Sequence, residues 1–178
     1  MEISWRNKAG FWLRSKKIKP GKYNEIMTLG SSRSQELNIL ILLPRSPVAV
    51  RIVKYFLKAV TSSSANLHFI CFESVYDAFE PSVRENLILF KESDLDKWGL
   101  PSEDFIKKVF SDDFNAIVNL DPQFDPVMSA FMINAPVPIR IGFNSENSEI
   151  LYNHLLSVSK NSGFIESGYL SIKKLLGL

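Results

Sequence analysis

The sequence has little of what disulfides and metal sites are made from: one cysteine, Cys71, and two histidines, His68 and His154. A lone cysteine cannot form an intramolecular disulfide, and two histidines so far apart in the chain offer no zinc-type cluster. Cys71 lies in the apolar segment LHFICF, which indicates a buried structural thiol rather than a nucleophile. We therefore expect no metal site and no catalytic cysteine.

Long apolar segments are missing as well. No run approaches the roughly 20 apolar residues that a membrane-spanning helix needs. The basic N-terminal stretch lacks the apolar core and the cleavage site of a signal peptide. These absences predict a cytoplasmic protein. The composition, 46% hydrophobic and 22% charged over 178 residues, is that of a globular domain large enough to bury one core.

Residues 37–60 predict a strand, a tight turn and a helix. The apolar run from Ile39 to Leu43 is typical of a strand with both faces buried. Ser46 and Pro47 fit the N-cap and the first position of the helix that follows. Neither a GxGxxG turn nor a Walker loop follows the strand. Pro44 and Pro47 instead rigidify this turn and remove backbone donors, which is the opposite of what a phosphate-binding glycine turn provides, and we expect no cofactor.

The rest of the chain alternates strand and helix patterns. Further strands are predicted at residues 67–72, 86–90, 114–120 and 137–143, and further helices at 75–79, 101–110, 127–134, 150–158 and 165–176. This alternation predicts a doubly wound, Rossmann-like α/β sheet of five parallel strands in the order 3-2-1-4-5, with helices on both faces. The side chains expected in its core are Ile39, Ile41, Ile70, Leu89, Ile117 and Val118.

Positive charge is concentrated towards the N-terminus. Residues 1–60 hold 12 Lys/Arg against 3 Asp/Glu, whereas the remaining residues hold 9 against 16. We divide the chain into a basic helix and linker, residues 1–36, with the linker at 28–35, and an α/β domain, residues 37–178. The rings of Trp5, Phe11 and Trp12 in the helix either dock on the domain, which we favour, or meet the inner face of a membrane.

In a doubly wound sheet, ligands bind beyond the carboxyl ends of the strands, where the strand order reverses. Two predicted turns meet there, and their candidate ligand-binding residues are Arg45, Ser46, Asp121 and Gln123. Arg45 beside a helix N-terminus suits an anion, and Asp121 suits either a hydrogen bond to a sugar hydroxyl or the role of a base. Helix capping explains Ser46 and Asp121 equally well, and Arg45 can be a solvated turn residue, so a purely structural role stays open.

Three segments carry a family resemblance: LNILILLPRSPVAVRIVKYFLKAV, FNAIVNLDPQF and MINAPVPIRIGF. They resemble the N-terminal Rossmann-like half of the heptosyltransferase group, glycosyltransferase family nine. The similarity spans about residues 37–178, and its most direct match is the sequence Arg-Ile-Gly-Phe at 140–143. The chain also resembles short bacterial proteins of unknown function that are built from this one domain.

Departures from that family's pattern predict a loss of catalysis. The family's turn aspartate falls on Ala49, its fourth-strand aspartate falls on Asn119, and the family's sugar-nucleotide domain has no counterpart in the sequence. We therefore expect no catalytic residue, and a domain that binds a sugar, a phosphate or a partner protein. The alternatives are half of a split or homodimeric glycosyltransferase and a peripheral membrane scaffold; we expect no nucleic-acid partner.

Overall fold

The computed structural model describes residues 4–16, 37–60, 65–156 and 166–176. The strands in this part of the chain are β1 (Asn38–Leu42), β2 (Asn66–Phe72), β3 (Leu87–Phe90), β4 (Ala116–Asn119), β5 (Ile139–Phe143) and β6 (His154–Leu156). The α-helices are α1 (Trp5–Ser15), α2 (Pro47–Val60), α3 (Pro81–Arg84), α4 (Glu103–Val109), α5 (Pro126–Asn134), α6 (Ser148–Leu151) and α7 (Glu166–Leu176). Short 3-10 helices occupy Glu73–Ala78 and Glu92–Asp94. None of the described helices combines the length and apolarity that crossing a membrane requires.

The strands form one parallel sheet in the order β3-β2-β1-β4-β5-β6. The doubly wound, Rossmann-like prediction is confirmed, with one strand more than the five predicted. At the centre, Leu42 of β1 pairs with Ile70 of β2 on one side and with Asn119 of β4 on the other. The strand order therefore reverses between β1 and β4, and their carboxyl ends border the crevice where such sheets bind ligands.

Side chains of β1 alternate between two hydrophobic layers, one on each face of the sheet. Ile39 and Ile41 belong to the layer that contains α2 and α7. Leu40 and Leu42 belong to the layer that contains α1, α4 and α5. All four side chains are at most 1% exposed, so the continuous apolar run follows from burial on both faces.

The predicted core is confirmed at five positions and wrong at one. Ile39, Ile41, Ile70, Ile117 and Val118 are buried, but Leu89 is only half-buried. Leu89 belongs to β3, the outermost strand on its side of the sheet, where a strand is covered less completely than at the centre.

The prediction of a helix over residues 150–158 is wrong. Helix α6 ends at Leu151, and β6 begins at His154 and pairs with β5. This strand shows no sequence signal because it has three residues, two of them exposed, and so lacks both a long apolar run and a repeated alternation. Pairing with β5 decides its conformation. The end of the predicted helix and the predicted linker, residues 28–35, lie outside the described residues.

Helix α1 docks on the domain, on the face of the sheet that carries α4 and α5. The Phe11 side chain is 3% exposed and meets the ring of Phe124 edge-on, with centroids 5.2 Å apart. Asn7 Nδ2 donates to the Gly99 carbonyl at 2.7 Å, and Arg14 forms an ion pair with Asp96 at 2.8 Å. One buried aromatic ring and a rim of polar contacts therefore hold the helix.

The other two aromatic side chains of α1, Trp5 and Trp12, are exposed rather than buried. Trp5 and Trp12 are 74% and 56% exposed, so the prediction that they dock is wrong, although it is confirmed for Phe11. Helix geometry explains the difference. Trp5 and Trp12 are seven residues apart, about two turns, and share one side, whereas neighbouring residues such as Phe11 and Trp12 lie about 100° apart around the axis.

Candidate functional site

The turns after β1 and β4 lie side by side, as the strand order requires. Leu42 pairs with Asn119, and the amide of Leu120 donates to the Leu42 carbonyl at 3.1 Å. The first turn carries Arg45 and Ser46, and the second carries residues 120–125. The structure thus brings the predicted ligand-binding residues to one edge of the sheet.

Arg45 is held by a carboxylate of the neighbouring turn. Its Nε lies 2.7 Å from Asp125 Oδ2, and its Nη2 lies 3.3 Å from Asp125 Oδ1. The guanidinium also lies over the ring of Phe72, 5.3 Å from the centroid. The ion pair is nearly buried, with side chains 13% and 11% exposed. A ligand phosphate would therefore have to displace Asp125 before it could bind Arg45 with the same fork geometry.

Asp125 and Ser46 each stabilise the start of a helix. Asp125 is the N-cap of α5, where Oδ1 accepts the amide of Val127 at 2.8 Å. The carbonyl of Ser46 accepts the amide of Val50 at 3.0 Å, so Ser46 directly precedes α2. Sequence reasoning found the helix starts but could not find the Arg45–Asp125 pair, because two turns distant in sequence meet only through the fold.

Asp121 is a buried carboxyl next to this ion pair. Its Oδ1 accepts the amide of Gln123 at 3.0 Å, which closes the turn, while the Gln123 side chain is exposed. Burial raises the pKa of Asp121 to about 6, with a smaller upward contribution from Asp125; the Gln123 amide and Arg45 act in the opposite direction. Asp121 is thus protonated more readily than an ordinary aspartate.

Asn119, where the family resemblance places an aspartate, belongs to a buried hydrogen-bond network. Its Nδ2 donates to Tyr152 Oη at 2.9 Å, and its Oδ1 accepts the amide of Asp121 at 3.0 Å. Burial raises the pKa of the Tyr152 phenol well above its ordinary value. Sequence reasoning missed Tyr152; the available signal was Gly142, since a glycine inside a buried strand leaves room for another side chain.

The shifted carboxyl of Asp121 predicts a pH-dependent stability. Because its pKa is about 6 in the folded state against an ordinary 3.8, its contribution is fully present below about pH 4 and is lost as the pH rises through 6. Asp121→Asn keeps an oxygen that can accept the Gln123 amide but cannot ionise. The free energy of unfolding of the variant, relative to that of the wild type, should therefore be higher at about pH 7 than at about pH 4, by on the order of 2–3 kcal/mol. Urea denaturation at both pH values measures the difference.

The control for that measurement is Asp112→Asn, because Asp112 is an exposed carboxylate on the loop before β4. It should give the same difference from the wild type at both pH values. A pH-independent difference for Asp121→Asn would contradict a raised pKa at that position.

A groove of about 340 Å³ lies between α1 and the loops at the carboxyl ends of β4 and β5. Its apolar wall is formed by Phe11, Trp12 and Phe124. Its polar groups are contributed by Lys8, Ser15, Glu146 and Asn147. Lys8 Nζ lies 4.0 Å from Glu146 Oε2, and both side chains are more than half exposed, so solvent screens this contact. Sequence reasoning missed the groove because it depends on where α1 docks.

Asn147 gives this groove one special backbone conformation. It has φ of 63°, in the left-handed region, and it directly precedes α6. Asparagine adopts this region more readily than most residues, because its short polar side chain tolerates it. This backbone conformation sets where the Asn147 side chain leaves the turn, at the lining of the groove.

Two other kinds of reactive site, a metal centre and a reactive thiol, can be checked in the described ranges. No group of three or more His, Cys, Asp or Glu side chains there could hold a metal ion. Cys71 is fully buried, as predicted, and burial raises the pKa of its thiol to about 12. It therefore stays protonated near neutral pH and is a poor nucleophile.

Comparisons of this chain with protein-family models, with curated proteins and with solved structures find no match, so its resemblance to glycosyltransferase family nine stays a prediction.

Proposed function

We propose that this protein is a non-catalytic binding domain that takes a small hydroxylated ligand, such as a sugar or a sugar phosphate, in the groove beneath α1. The observation that carries the proposal is the convergence of an indole ring, a carboxylate, an amide and an ammonium group in one groove: Trp12, Glu146, Asn147 and Lys8. Ligand pockets typically combine an apolar wall with a few polar groups that fix orientation. A sugar ring fits this combination, with C–H groups for the indole and hydroxyls for the polar groups.

The position of the groove supports the same proposal. Phe124 follows β4, and Glu146 and Asn147 follow β5, so the groove borders the carboxyl ends of two neighbouring parallel strands. Open α/β sheets bind ligands at that edge. Helix α1 adds a wall that the sheet alone would lack, because Phe11 packs against Phe124 and Trp12 lines the same groove.

The absence of catalysis in this proposal rests on how the polar groups near the strand ends are occupied. Asn119, in the place of the family's aspartate, is a neutral amide bonded to Tyr152. The Arg45 guanidinium is paired with Asp125. Ala49 carries no acid–base group, so neither family position offers a general base for an acceptor hydroxyl. We accordingly propose a relative of the heptosyltransferase half-domain that has kept binding and lost transfer, working in the cytoplasm, where a free buried thiol such as Cys71 is ordinary.

Saturation-transfer NMR with monosaccharides, sugar phosphates and nucleotide sugars tests binding. We expect signals from at least one sugar-containing ligand, and an affinity about tenfold lower for Glu146→Gln, because a charged hydrogen bond to a hydroxyl contributes about 1.5–3 kcal/mol. Asn147→Gly should also weaken binding while keeping the turn, since glycine accepts the positive φ. The matched control is Glu149→Gln, an exposed glutamate on α6 that does not line the groove.

Failure of every sugar-containing ligand to bind would refute the proposal, as would equal loss of affinity in Glu149→Gln. Glycosyl-transfer assays on the same preparations test whether the domain is non-catalytic. Turnover by the purified chain that survives repurification would contradict a non-catalytic domain. Turnover that needs a second protein would instead support the split-enzyme alternative.

A further inference from the structure

The outward side of α1 presents large apolar side chains beside lysines. Trp5, Trp12 and Leu13 are 74%, 56% and 43% exposed. Lys8 on α1 and Lys16, which directly follows the helix, are exposed, and Lys16 Nζ lies 3.4 Å from the centroid of the Trp12 ring. Exposing two indoles on one helix of a small domain is costly in water. Such a surface indicates a partner.

Charge complementarity identifies the kind of partner. The first 22 residues hold seven Lys/Arg and one acidic residue, Glu2, whereas the rest of the chain has more acidic than basic residues. The partner of the α1 surface is therefore anionic, and the remainder of the domain would be repelled by it. Helices that lie in the interface of anionic membranes combine lysines with Trp and Leu in this way, and indole rings settle at the level of the lipid headgroups.

We propose that α1 attaches the protein peripherally to anionic phospholipid surfaces. Trp5 and Leu13 enter the headgroup region, and the ammonium of Lys16 meets lipid phosphates. Phe11 does not take part, because it remains buried against Phe124. The docked side of the helix, with Asn7 and Arg14, keeps its bonds to residues 96–101. The domain thus binds the membrane without unfolding α1 from its own surface.

Co-sedimentation of the full chain with two kinds of vesicle tests this attachment. Vesicles of phosphatidylcholine that also contain phosphatidylglycerol should bind the protein, and vesicles of pure phosphatidylcholine should bind it far less. Binding should weaken as salt is added, because screening shortens the reach of the lysine charges. Tryptophan emission should shift to the blue on binding, since Trp5, 74% exposed on α1, leaves water for the headgroup region.

The variants are chosen outside the sugar groove, so that this proposal and the proposed function can fail separately. Trp5→Ser combined with Leu13→Ser should lower affinity for the anionic vesicles by about tenfold or more. The control is Leu170→Ser, because Leu170 is 60% exposed on α7, across the sheet from α1. Lys16→Glu should also lower the affinity for anionic vesicles by about tenfold or more, and Lys174→Glu on α7 should lower it much less.

Three results would overturn the attachment: no binding to either vesicle, equal binding to both, or binding that Trp5→Ser with Leu13→Ser leaves unchanged. Thermal melts of every variant accompany the assay. The substituted side chains are exposed, so their melting temperatures should match the wild type, and loss of binding then reports the lost surface rather than a lost fold.

Discussion

Replacing Phe11 by alanine is expected to lower the free energy of unfolding by about 3–5 kcal/mol, the usual cost of removing a buried phenyl ring. Phe11 is 3% exposed, and its ring fills the space between α1 and Phe124. The cavity left behind cannot close easily, because Asn7 and Arg14 fix the helix at the level of residues 96–101. Denaturation in urea, followed by circular dichroism, measures the change.

Trp5→Ala is the matched control for Phe11→Ala, since it removes a larger ring from the same helix. Trp5 is 74% exposed, so its loss should change stability by about 0.5 kcal/mol or less. Equal effects of the two substitutions would contradict the docked position of α1. The comparison also separates the two roles of the helix: Phe11 holds it to the domain, and Trp5 faces away.

Adding a single methyl group at Gly142 is expected to destabilise the fold by about 1–3 kcal/mol. Gly142 lies in β5, and the ring of Tyr152 covers it so closely that a Cβ there would overlap the ring atoms. The ring has little freedom to move away, because Tyr152 Oη accepts a hydrogen bond from Asn119 at 2.9 Å. Gly142→Ala therefore forces either the strand or the tyrosine out of place.

A double-mutant cycle tests that explanation. In a Tyr152→Ala background the ring is gone, so the additional cost of Gly142→Ala should fall to near zero. Gly168→Ala is the matched control, because a Cβ on Gly168 would meet the ring of Phe143 instead. Its cost should be the same with or without Tyr152. A cost of Gly142→Ala that persists without the tyrosine would show that the strand itself requires glycine.

Much of the fold could be predicted because its strongest signals are local. The apolar run of β1 and the Ser46-Pro47 start of α2 are read within a few residues. From those, the strand order follows by the rules of doubly wound sheets. The edge elements were harder: β6 has three residues and no long apolar run, so only its pairing with β5 makes it a strand.

The location of the candidate site could be predicted from the sequence, but the partners of its side chains could not. The sequence puts Arg45 and Asp121 at the carboxyl ends of β1 and β4, and the structure agrees. Whether Arg45 faces a ligand or Asp125 depends on side chains from distant turns, which no local pattern encodes. The same holds for Tyr152, whose hydroxyl reaches Asn119 from the far side of β5. Local sequence patterns therefore predict where the crevice lies, and contacts between residues distant in sequence determine which side chains occupy it.

The central position of β1 also bears on how the chain is made. During synthesis β1 can pair with β2 early, but its other edge stays open until β4 has left the ribosome, because β4 is the strand that covers it. An open strand edge made of Ile39, Leu40, Ile41 and Leu42 invites pairing with other chains. We expect nascent chains that stop before residue 116 to depend on chaperones more than longer chains, in which β4 covers this edge of β1.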